Sequence, residues 1–302
     1  MLCFGIDAGG TKTELLAAPT GGGTQTRFFG PAANLQRLGV EQTADVLAAL
    51  IREARAAHPS EPVGAVFAGV AGAGRPDEAA ALADAVLLRL PDLGAPFEVT
   101  HDADIALEGA FGGESGVIVI AGTGSVALGR TRGGVSVRTG GWGYLFGDEG
   151  SGHAIGCAAM RALAAAFDAD RPTPLATRLR DRLGLDDGAT LIRRVYREAW
   201  PVAGAARVVC DAAAEGDADA ARILREQAAA LAEQVGMLAA RAGDDLAPRI
   251  ALLGGLVQAP CYRDALTAAL GARLLGWAVG LPKATAAEGA WARACRASGK
   301  PV

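Results

Sequence analysis

Two segments of this chain share one layout, in which a glycine turn joins two apolar strands. The first segment reads FGIDAGGTKTELLAA (residues 4–18) and the second reads GVIVIAGTGSVALGR (residues 116–130). Short apolar runs that stop at a glycine turn and then resume are typical of a β-hairpin. The two segments start about 112 residues apart. The repeat therefore predicts a chain of two related halves, each with a hairpin near its start.

Strand and helix signals alternate along both halves, which is the pattern of an α/β protein. After the first hairpin we expect a third strand at RFFG, a helix over Val40–Ala57, a strand over 62–72, a helix over Glu78–Leu90 and a strand that runs into a helix at Asp102. In the second half, residues 160–243 read as mostly helical, 249–260 as a buried strand and Ala284–Ala297 as a helix. A chain of 302 residues is long enough for two domains, and we expect the hinge near Gly112 and Gly113.

The composition argues against several classes of protein. Hydrophobic residues make up 51% of the chain, yet no apolar run reaches the roughly 18 residues of a membrane span. The start, MLCFGIDAGG, has neither a basic segment nor a cleavable apolar stretch, so we expect no signal peptide. The net charge of −4 gives no electrostatic footprint for nucleic acid. We therefore expect a cytoplasmic protein without membrane or nucleic-acid partners.

The cysteines and histidines do not predict a metal site. The five cysteines are Cys3, Cys157, Cys210, Cys261 and Cys295. Their number is odd and none forms a C-x-x-C pair, which argues against a disulfide framework and against a cysteine-bound metal. We expect them to be small buried hydrophobes in a reducing compartment. The three histidines are too scattered to suggest a metal site.

Glycine turns follow four of the apolar strands. They are Gly9-Gly10, Gly122-Thr123-Gly124, Gly140-Gly141 and Gly254-Gly255. A polyphosphate needs several backbone N–H donors that converge from different loops, and glycine lets the backbone come that close. At Gly9 and Gly10, a tight turn with positive φ is an equal alternative. The pattern is neither a Walker A loop nor G-x-G-x-x-G.

Two carboxylates also stand at predicted strand ends. Mg²⁺ binds phosphates together with one or two carboxylates and waters, and Asp7 fits that role, through water. A hydroxyl that attacks a γ-phosphoryl group benefits from a positioned carboxylate base, and Asp102 fits that role. The alternative for Asp102 is a helix N-cap. Lys12 is either a local phosphate contact or a surface charge.

The stretch GGWGYLFGDEGSG, residues 140–152, is the most unusual in composition. It sets the aromatic Trp142 among glycines beside Asp148 and Glu149. Carboxylates and backbone groups grip the vicinal hydroxyls of sugars, often next to an aromatic ring. The alternatives are a surface turn that caps a helix starting near Ser151, and first-turn helix acids at Asp148 and Glu149.

Five motifs together resemble a known family. FGIDAGGTKTE, THDADIALEGAFGG, VIVIAGTGSVALG, GGWGYLFGDEGSG and ALLGGLV occur in order between residue 4 and about residue 290. They resemble the N-acetylglucosamine kinase-like group, which also holds the BadF/BadG-type ATPases, in the actin/hexokinase/Hsp70 superfamily. The resemblance implies an α/β fold of two ribonuclease H-like domains with ATP in a central cleft. It implies a first domain of residues 1–112, which a C-terminal helix of about 284–302 joins, and a second domain of residues 113–283. It is also compatible with a homodimer.

The resemblance also implies roles for particular residues, with ATP and Mg²⁺ as cofactors. The first phosphate motif would be Asp7, Gly9, Gly10, Thr11 and Lys12, the second Gly122, Thr123 and Gly124, and the adenosine motif Gly254 and Gly255. Asp102 matches the catalytic base. The sugar-contacting positions would be Asn34, Thr123, Trp142, Gly143 and Asp148.

The hypothesis from the sequence is an ATP-dependent kinase that phosphorylates a hexosamine, N-acetylglucosamine or glucosamine, at O6. Leu35 and Gln36 stand where animal N-acetylglucosamine kinases tend to carry an aromatic residue near the acetyl group, which leaves free glucosamine open. The main alternative is an ATPase switch of the BadF/BadG type that acts on a protein partner. The cysteines do not match those of the dehydratase activators, and the zinc-cysteine motif of ROK kinases is missing. A sugar sensor without turnover is a third hypothesis.

Overall fold

The repeat seen in the sequence forms two five-stranded sheets, one in each of two units of the chain. The computed structural model describes residues 1–299. The first unit holds residues 1–114 together with the chain from residue 282 onward, and the second holds residues 115–281. Among residues 1–299, none of the helices combines the length and the apolar character that a membrane crossing needs.

The elements of the first unit up to residue 114 follow the predicted order. They are β1 (Leu2–Ala8), β2 (Lys12–Pro19), β3 (Thr26–Pro31), α1 (Leu35–Ala57), β4 (Val63–Val70), α2 (Pro76–Arg89), β5 (Phe97–His101) and α3 (Asp102–Phe111). Helix α1 starts five residues before the predicted Val40, because its first turn is joined to the rest across Gly39, which has φ 72° and ψ 174°.

The second unit begins with the same strand order and then becomes helical. Its elements are β6 (Gly116–Ala121), β7 (Ser125–Arg130), β8 (Ser136–Gly140), α4 (Gly152–Asp168), α5 (Pro174–Leu183), α6 (Gly188–Ile192), α7 (Ala205–Ala214), α8 (Ala218–Ala242), β9 (Arg249–Leu253), α9 (Pro260–Arg273) and β10 (Ala278–Gly280). Helix α10 (Ala286–Ala297) then belongs to the first unit. The last predicted helical positions, 300–302, lie outside the described residues.

The two sheets have the same pairing scheme. Their strand orders are β3-β2-β1-β4-β5 and β8-β7-β6-β9-β10. In each, the first three strands are antiparallel neighbours, and the other two add in parallel beside the first. Strands β1 and β6 are central and mostly buried, which explains their continuous apolar runs. The predicted pair of related halves is confirmed at the level of topology.

Helix α10 completes the first unit by packing directly on its central strand. A Cβ atom at Gly5 of β1 would collide with the backbone of Ala287 and Trp291, so this contact requires glycine. The indole N–H of Trp291 donates to the carbonyl of Ala18 at 3.1 Å. The last helix therefore covers a sheet face that was formed near the start of the chain.

Candidate active site

In the first unit, several predicted site residues lie at one edge of the sheet. Strands β1, β4 and β5 are parallel, and β3 runs in the same direction because β2 is antiparallel to both β1 and β3. The carboxyl ends of these four strands therefore meet at the same edge. Asp7 is the penultimate residue of β1, Asn34 follows β3, and Asp102 follows β5 directly.

The carboxyl group of Asp7 lies in surroundings that disfavour its charge. Burial is the main cause, the charges of Asp102 and Glu14 add to it, and together they raise the pKa of Asp7 from 3.8 to about 6, although Lys12 acts the other way. A divalent cation would relieve both the burial cost and the repulsion. Because Mg²⁺ is held by one or two carboxylates plus phosphates, the residues present fit this ion.

Asp102 takes the first position of α3, while His101 is the N-cap. The Nδ1 atom of His101 lies 3.2 Å from the backbone nitrogen of Ala103. The Oδ1 atom of Asp102 lies 2.9 Å from the same nitrogen and 3.0 Å from His101 Nδ1. The alternative role of Asp102 as the N-cap is therefore wrong. Its side chain is 36% exposed, so a ligand has access to the carboxylate.

The glycine loop after β1 is closed by its own backbone. The N–H of Gly9 donates to the carbonyl of Lys12 at 3.0 Å, and the carbonyl of Gly9 accepts from Ala33 at 3.1 Å. Neither Gly9 nor Gly10 has a positive φ, so the tight-turn alternative is not the reason for these glycines. A Cβ atom at Gly10 would meet no atom within 4 Å. The space beside Gly10 is therefore open for a close approach by a ligand.

The side chain of Lys12 is engaged with its neighbours on the sheet. Its Nζ lies 3.1 Å from Glu14 Oε2 and 5.0 Å from the ring centroid of Phe29. Thr11, one residue before it, is exposed. In this arrangement Thr11 is available to a ligand, and the exposed Lys12 ammonium keeps further donors beside its bond to Glu14.

Asn34 is the N-cap of α1, and this explains its orientation. Its Oδ1 accepts from the backbone nitrogens of Gln36 at 3.0 Å and Arg37 at 3.2 Å. The cap uses the side-chain oxygen and leaves the amide NH₂ to donate. The side chain of Gln36 turns towards the carbonyl of Gly72, which accepts from its Nε2 at 3.0 Å.

In the second unit, the turn Gly122–Gly124 joins β6 to β7, and Asp148 packs on it. The Oδ1 of Asp148 accepts from the backbone nitrogen of Ser125 at 3.3 Å. A Cβ atom at Gly124 would lie 2.8 Å from Oδ2 of Asp148, so glycine makes room for this carboxylate. Asp148 is 8% exposed and has φ 64°, which is uncommon for a residue other than glycine. The predicted phosphate turn at Gly122–Gly124 and the predicted sugar-binding residue Asp148 therefore pack against each other.

The start of α4 is tied to the same turn. Gly152 donates to the carbonyl of Gly122 at 2.7 Å, and His153 donates to that of Thr123 at 3.1 Å. Ser151 is the N-cap, and its Oγ accepts from Ala154 at 3.1 Å. The expected helix start near Ser151 is confirmed. Asp148 and Glu149 precede this cap, so the alternative of first-turn helix acids is wrong.

The loop between β8 and Asp148 is exposed. The side chain of Trp142 is 74% exposed, and the Arg138 guanidinium lies 5.8 Å from its ring centroid. Gly143 has φ 84°, with no atom within 4 Å of a Cβ placed there. Tyr144 stacks at an angle on His153, with 4.8 Å between ring centroids. This loop exposes several bulky side chains, Trp142 among them, and at Gly143 it leaves open space beside the backbone.

The turn after β9 presses against the end of β6. Gly254 has φ 101°, and a Cβ atom there would collide with the carbonyl oxygen of Ala121. Gly255 has ordinary helical angles, φ −66° and ψ −31°, and open space around it. The positive φ and the contact with Ala121 therefore explain glycine at position 254, whereas neither reason applies at position 255.

A cavity of about 730 Å³ opens beside these turns within the second unit. Gly122, Thr123 and Gly255 line one side of it, and Arg207 and Asp211 of α7 line the other. Its volume is in the range of ligand pockets, about 300–1,000 Å³. The sequence reasoning missed Arg207 and Asp211. Their spacing of four residues, which places both on one face of α7, is the signal that could have found them.

These features define a chain with two topologically related α/β units, each with glycine turns at the ends of its central strands. The chain belongs to the BadF/BadG/BcrA/BcrD ATPase family, whose model matches residues 4–292. The N-acetylmuramic acid/N-acetylglucosamine kinase of Clostridium acetobutylicum is 35% identical over 231 residues, which cover 74% of this chain and 75% of that protein. The N-acetyl-D-glucosamine kinase of Dictyostelium discoideum is 32% identical over 204 residues, 64% of each chain.

Solved structures agree with this family. A Chromobacterium violaceum protein assigned as an N-acetylglucosamine kinase has a TM-score of 0.73 and 28% identity, over 96% of this chain and 97% of that one. A ROK family glucokinase from Streptomyces griseus, in complex with glucose and AMPPNP, has a TM-score of 0.62 and 21% identity, over 98% of this chain and all (100%) of that one, and this likeness is one of fold. The predicted family and the predicted class of fold, an actin/hexokinase-type α/β protein, are confirmed.

Proposed function

We propose that this protein is an ATP-dependent amino-sugar kinase, which transfers the γ-phosphoryl group of ATP to the 6-hydroxyl of a hexosamine. The observation that carries the proposal is the edge of the first sheet, where the half-exposed Asp102 lies near the mostly buried Asp7 and the open glycine loop. Phosphoryl transfer requires a positioned nucleophile, a phosphate cradle and a cation rather than covalent chemistry. The kinase names of the relatives from Clostridium and Dictyostelium support this reading.

In this mechanism Asp102 acts as the general base. Its carboxylate orients the 6-hydroxyl and takes its proton as the oxygen attacks the γ-phosphorus. Such assistance is worth about 10²–10⁴-fold in rate. Its place at the first position of α3 holds the carboxylate at the end of β5, and its partial exposure leaves it accessible to the sugar.

Each unit has a glycine turn that suits phosphate oxygens. Backbone N–H groups around Gly10 and Thr11 in the first unit, and around Gly122 and Thr123 in the second, are the proposed donors. The cavity lined by Gly122, Gly255, Arg207 and Asp211 has room for the adenosine, with Gly254 shaping the turn beside it. Asp7 would hold Mg²⁺, whose chemistry is to neutralise charge on the phosphates.

The sugar would be held by groups whose other contacts leave them a free donor or acceptor. Asn34 keeps its amide NH₂ for a hydroxyl, because its oxygen caps α1. Asp148 offers carboxylate lone pairs beyond its bond to Ser125. In the second unit, Trp142, Gly143 and Thr123 are the other proposed sugar contacts. The relative from Clostridium acts on two amino sugars by its name, so N-acetylmuramic acid joins N-acetylglucosamine and glucosamine as a candidate.

The experiment that tests the function is ADP release with Mg·ATP against a panel of sugars. The panel holds glucosamine, N-acetylglucosamine, N-acetylmuramic acid, N-acetylmannosamine, glucose and no sugar. We expect release that depends on one or two of the amino sugars. The 6-deoxy analogue of the best substrate should bind and inhibit without ADP release. Sugar-independent release would contradict the kinase and favour the ATPase switch, and turnover of the 6-deoxy sugar would contradict O6 as the acceptor.

The Asp102→Asn variant tests the base. We expect turnover to fall by about 10²–10⁴-fold, because the amide cannot take the proton. Affinity for ATP, measured by calorimetry, should stay within about threefold, since the phosphate loops are unchanged. Asp92→Asn, which changes an exposed carboxylate in the loop after α2, is the matched control. Near-normal turnover in Asp102→Asn would remove Asp102 from the mechanism.

A further inference from the structure

Three polar groups form a closed triangle where β5 meets α3. His101 Nδ1 lies 3.0 Å from Asp102 Oδ1 and 3.2 Å from the backbone nitrogen of Ala103. That nitrogen lies 2.9 Å from Asp102 Oδ1. Each distance is short enough for a hydrogen bond, but one imidazole nitrogen cannot donate and accept at the same time.

The position of the ring proton decides which bonds exist. With a lone pair on Nδ1, the ring accepts from Ala103, and two lone pairs face each other across 3.0 Å between Nδ1 and the ionised Asp102. With a proton on Nδ1, the ring donates to Oδ1, and Ala103 donates to Oδ1 over the shorter of its two distances. The second arrangement gives each of the three groups a partner and avoids the contact between two lone pairs.

We propose that His101 is a positioning residue for Asp102, through a hydrogen bond from its Nδ1–H to Oδ1. This bond and the one from Ala103 both fall on Oδ1, so they fix the carboxylate and direct Oδ2 towards the acceptor hydroxyl. The inference deepens the proposed function and rests on it for the identity of that hydroxyl. The observation behind the bond is the 3.0 Å distance between Nδ1 and Oδ1.

The charges around the pair explain why a donor is needed. The carboxylate of Asp7 on β1 is near enough to that of Asp102 for the two negative charges to repel each other. Asp104 on α3 accepts from Thr100 Oγ1 at 2.7 Å. Arg75 and Glu98 line the pocket that His101 also borders. A neutral donor at Nδ1 holds the Asp102 carboxylate in place against the repulsion from Asp7.

A pair of nearly isosteric variants separates positioning from helix capping. Asparagine and aspartate are equally good N-caps, but only asparagine carries a side-chain donor. If His101 positions Asp102, His101→Asn should keep kcat within about threefold of the unchanged protein, and His101→Asp should lower kcat about 10- to 100-fold with little change in the KM for ATP. Both variants keep a side-chain oxygen for the cap, so a difference in kcat between them does not come from a lost cap. Equal kcat values in the two variants would show that His101 is only a cap.

Nitrogen-15 NMR of the imidazole rings gives a readout that does not depend on catalysis. The chain has three histidines, so the spectrum of His101→Asn assigns the signals of His101 by loss. At a pH where the ring is neutral, we expect the proton on Nδ1 of His101, and its transfer to Nε2 in Asp102→Ala. A proton on Nε2 in the unchanged protein would overturn the proposal. If the protein phosphorylates none of the sugars, only the proposed function is contradicted. The NMR spectrum still shows whether His101 donates a hydrogen bond to Asp102.

Discussion

At the scale of single residues, the carboxyl of Asp7 makes folding stability depend on pH. Its pKa is about 6 in the folded protein against an ordinary 3.8. Protonation of Asp7 therefore contributes stability that is complete below pH 3.8 and is lost as the pH rises through about 6. We expect Asp7→Asn, which cannot ionise, to be more stable than the unchanged protein at about pH 8, by on the order of 2 kcal/mol. Near pH 4 the two proteins should be equal.

Thermal unfolding in a chelating buffer measures this difference. Asp92→Asn, an exposed carboxylate, should show no such change with pH. A stability difference for Asp7→Asn that is the same at both pH values would contradict the raised pKa. With Mg·ATP present, we expect the unchanged protein to become more stable than Asp7→Asn, because a ligand stabilises most the protein that binds it most tightly. An asparagine amide is the poorer partner for Mg²⁺.

At the scale of elements, the turn after β9 offers a matched pair of glycines. Gly254→Ala forces a Cβ atom into the carbonyl of Ala121 at φ 101°, so we expect a loss of stability of about 2 kcal/mol or more. Gly255→Ala has open space and helical angles, so its melting temperature should be unchanged. If ATP approaches this backbone, Gly255→Ala raises the KM for ATP without affecting stability. Equal stability losses in the two variants would contradict the different reasons assigned to these glycines.

The elements also show what sequence reasoning could reach. The hairpins and their glycine turns were predictable, because glycine interrupts apolar strands at fixed places. Strand β10 was missed, since three residues carry no periodicity. Arg207 and Asp211 were missed because α7 reaches the cavity beside Gly122 only through tertiary packing. The cap of α3 was assigned to Asp102 as an alternative, and His101 was not considered, because histidine is not a usual N-cap. Residue types alone predicted the loops, but the contacts between these loops and other elements could be identified only in the folded structure.

At the scale of the whole molecule, the two units differ in how the chain builds them. The second unit is continuous, and its core runs from Val117 to Leu274. The first unit needs both ends of the chain. Cys3 and Phe67 pack with Ala290, Ala294 and Cys295 of α10, so this face of the first sheet is fully covered only when the last helix joins α3 on it.

We therefore propose that the second unit folds alone and that the first does not fold without α10. A fragment of residues 115–281 should unfold cooperatively on heating, followed by circular dichroism. Residues 1–114 alone leave an apolar sheet face uncovered and should aggregate or stay unfolded. Ala284 donates to the carbonyl of Gly109 at 2.9 Å, so the chain before α10 runs next to the end of α3. We therefore expect a fragment in which a short glycine-serine linker joins residue 114 to residue 282, and which includes α10, to fold. The same linker without α10 is the control. Cooperative unfolding of 1–114 by itself would show that α10 adds to a fold that the strands already specify.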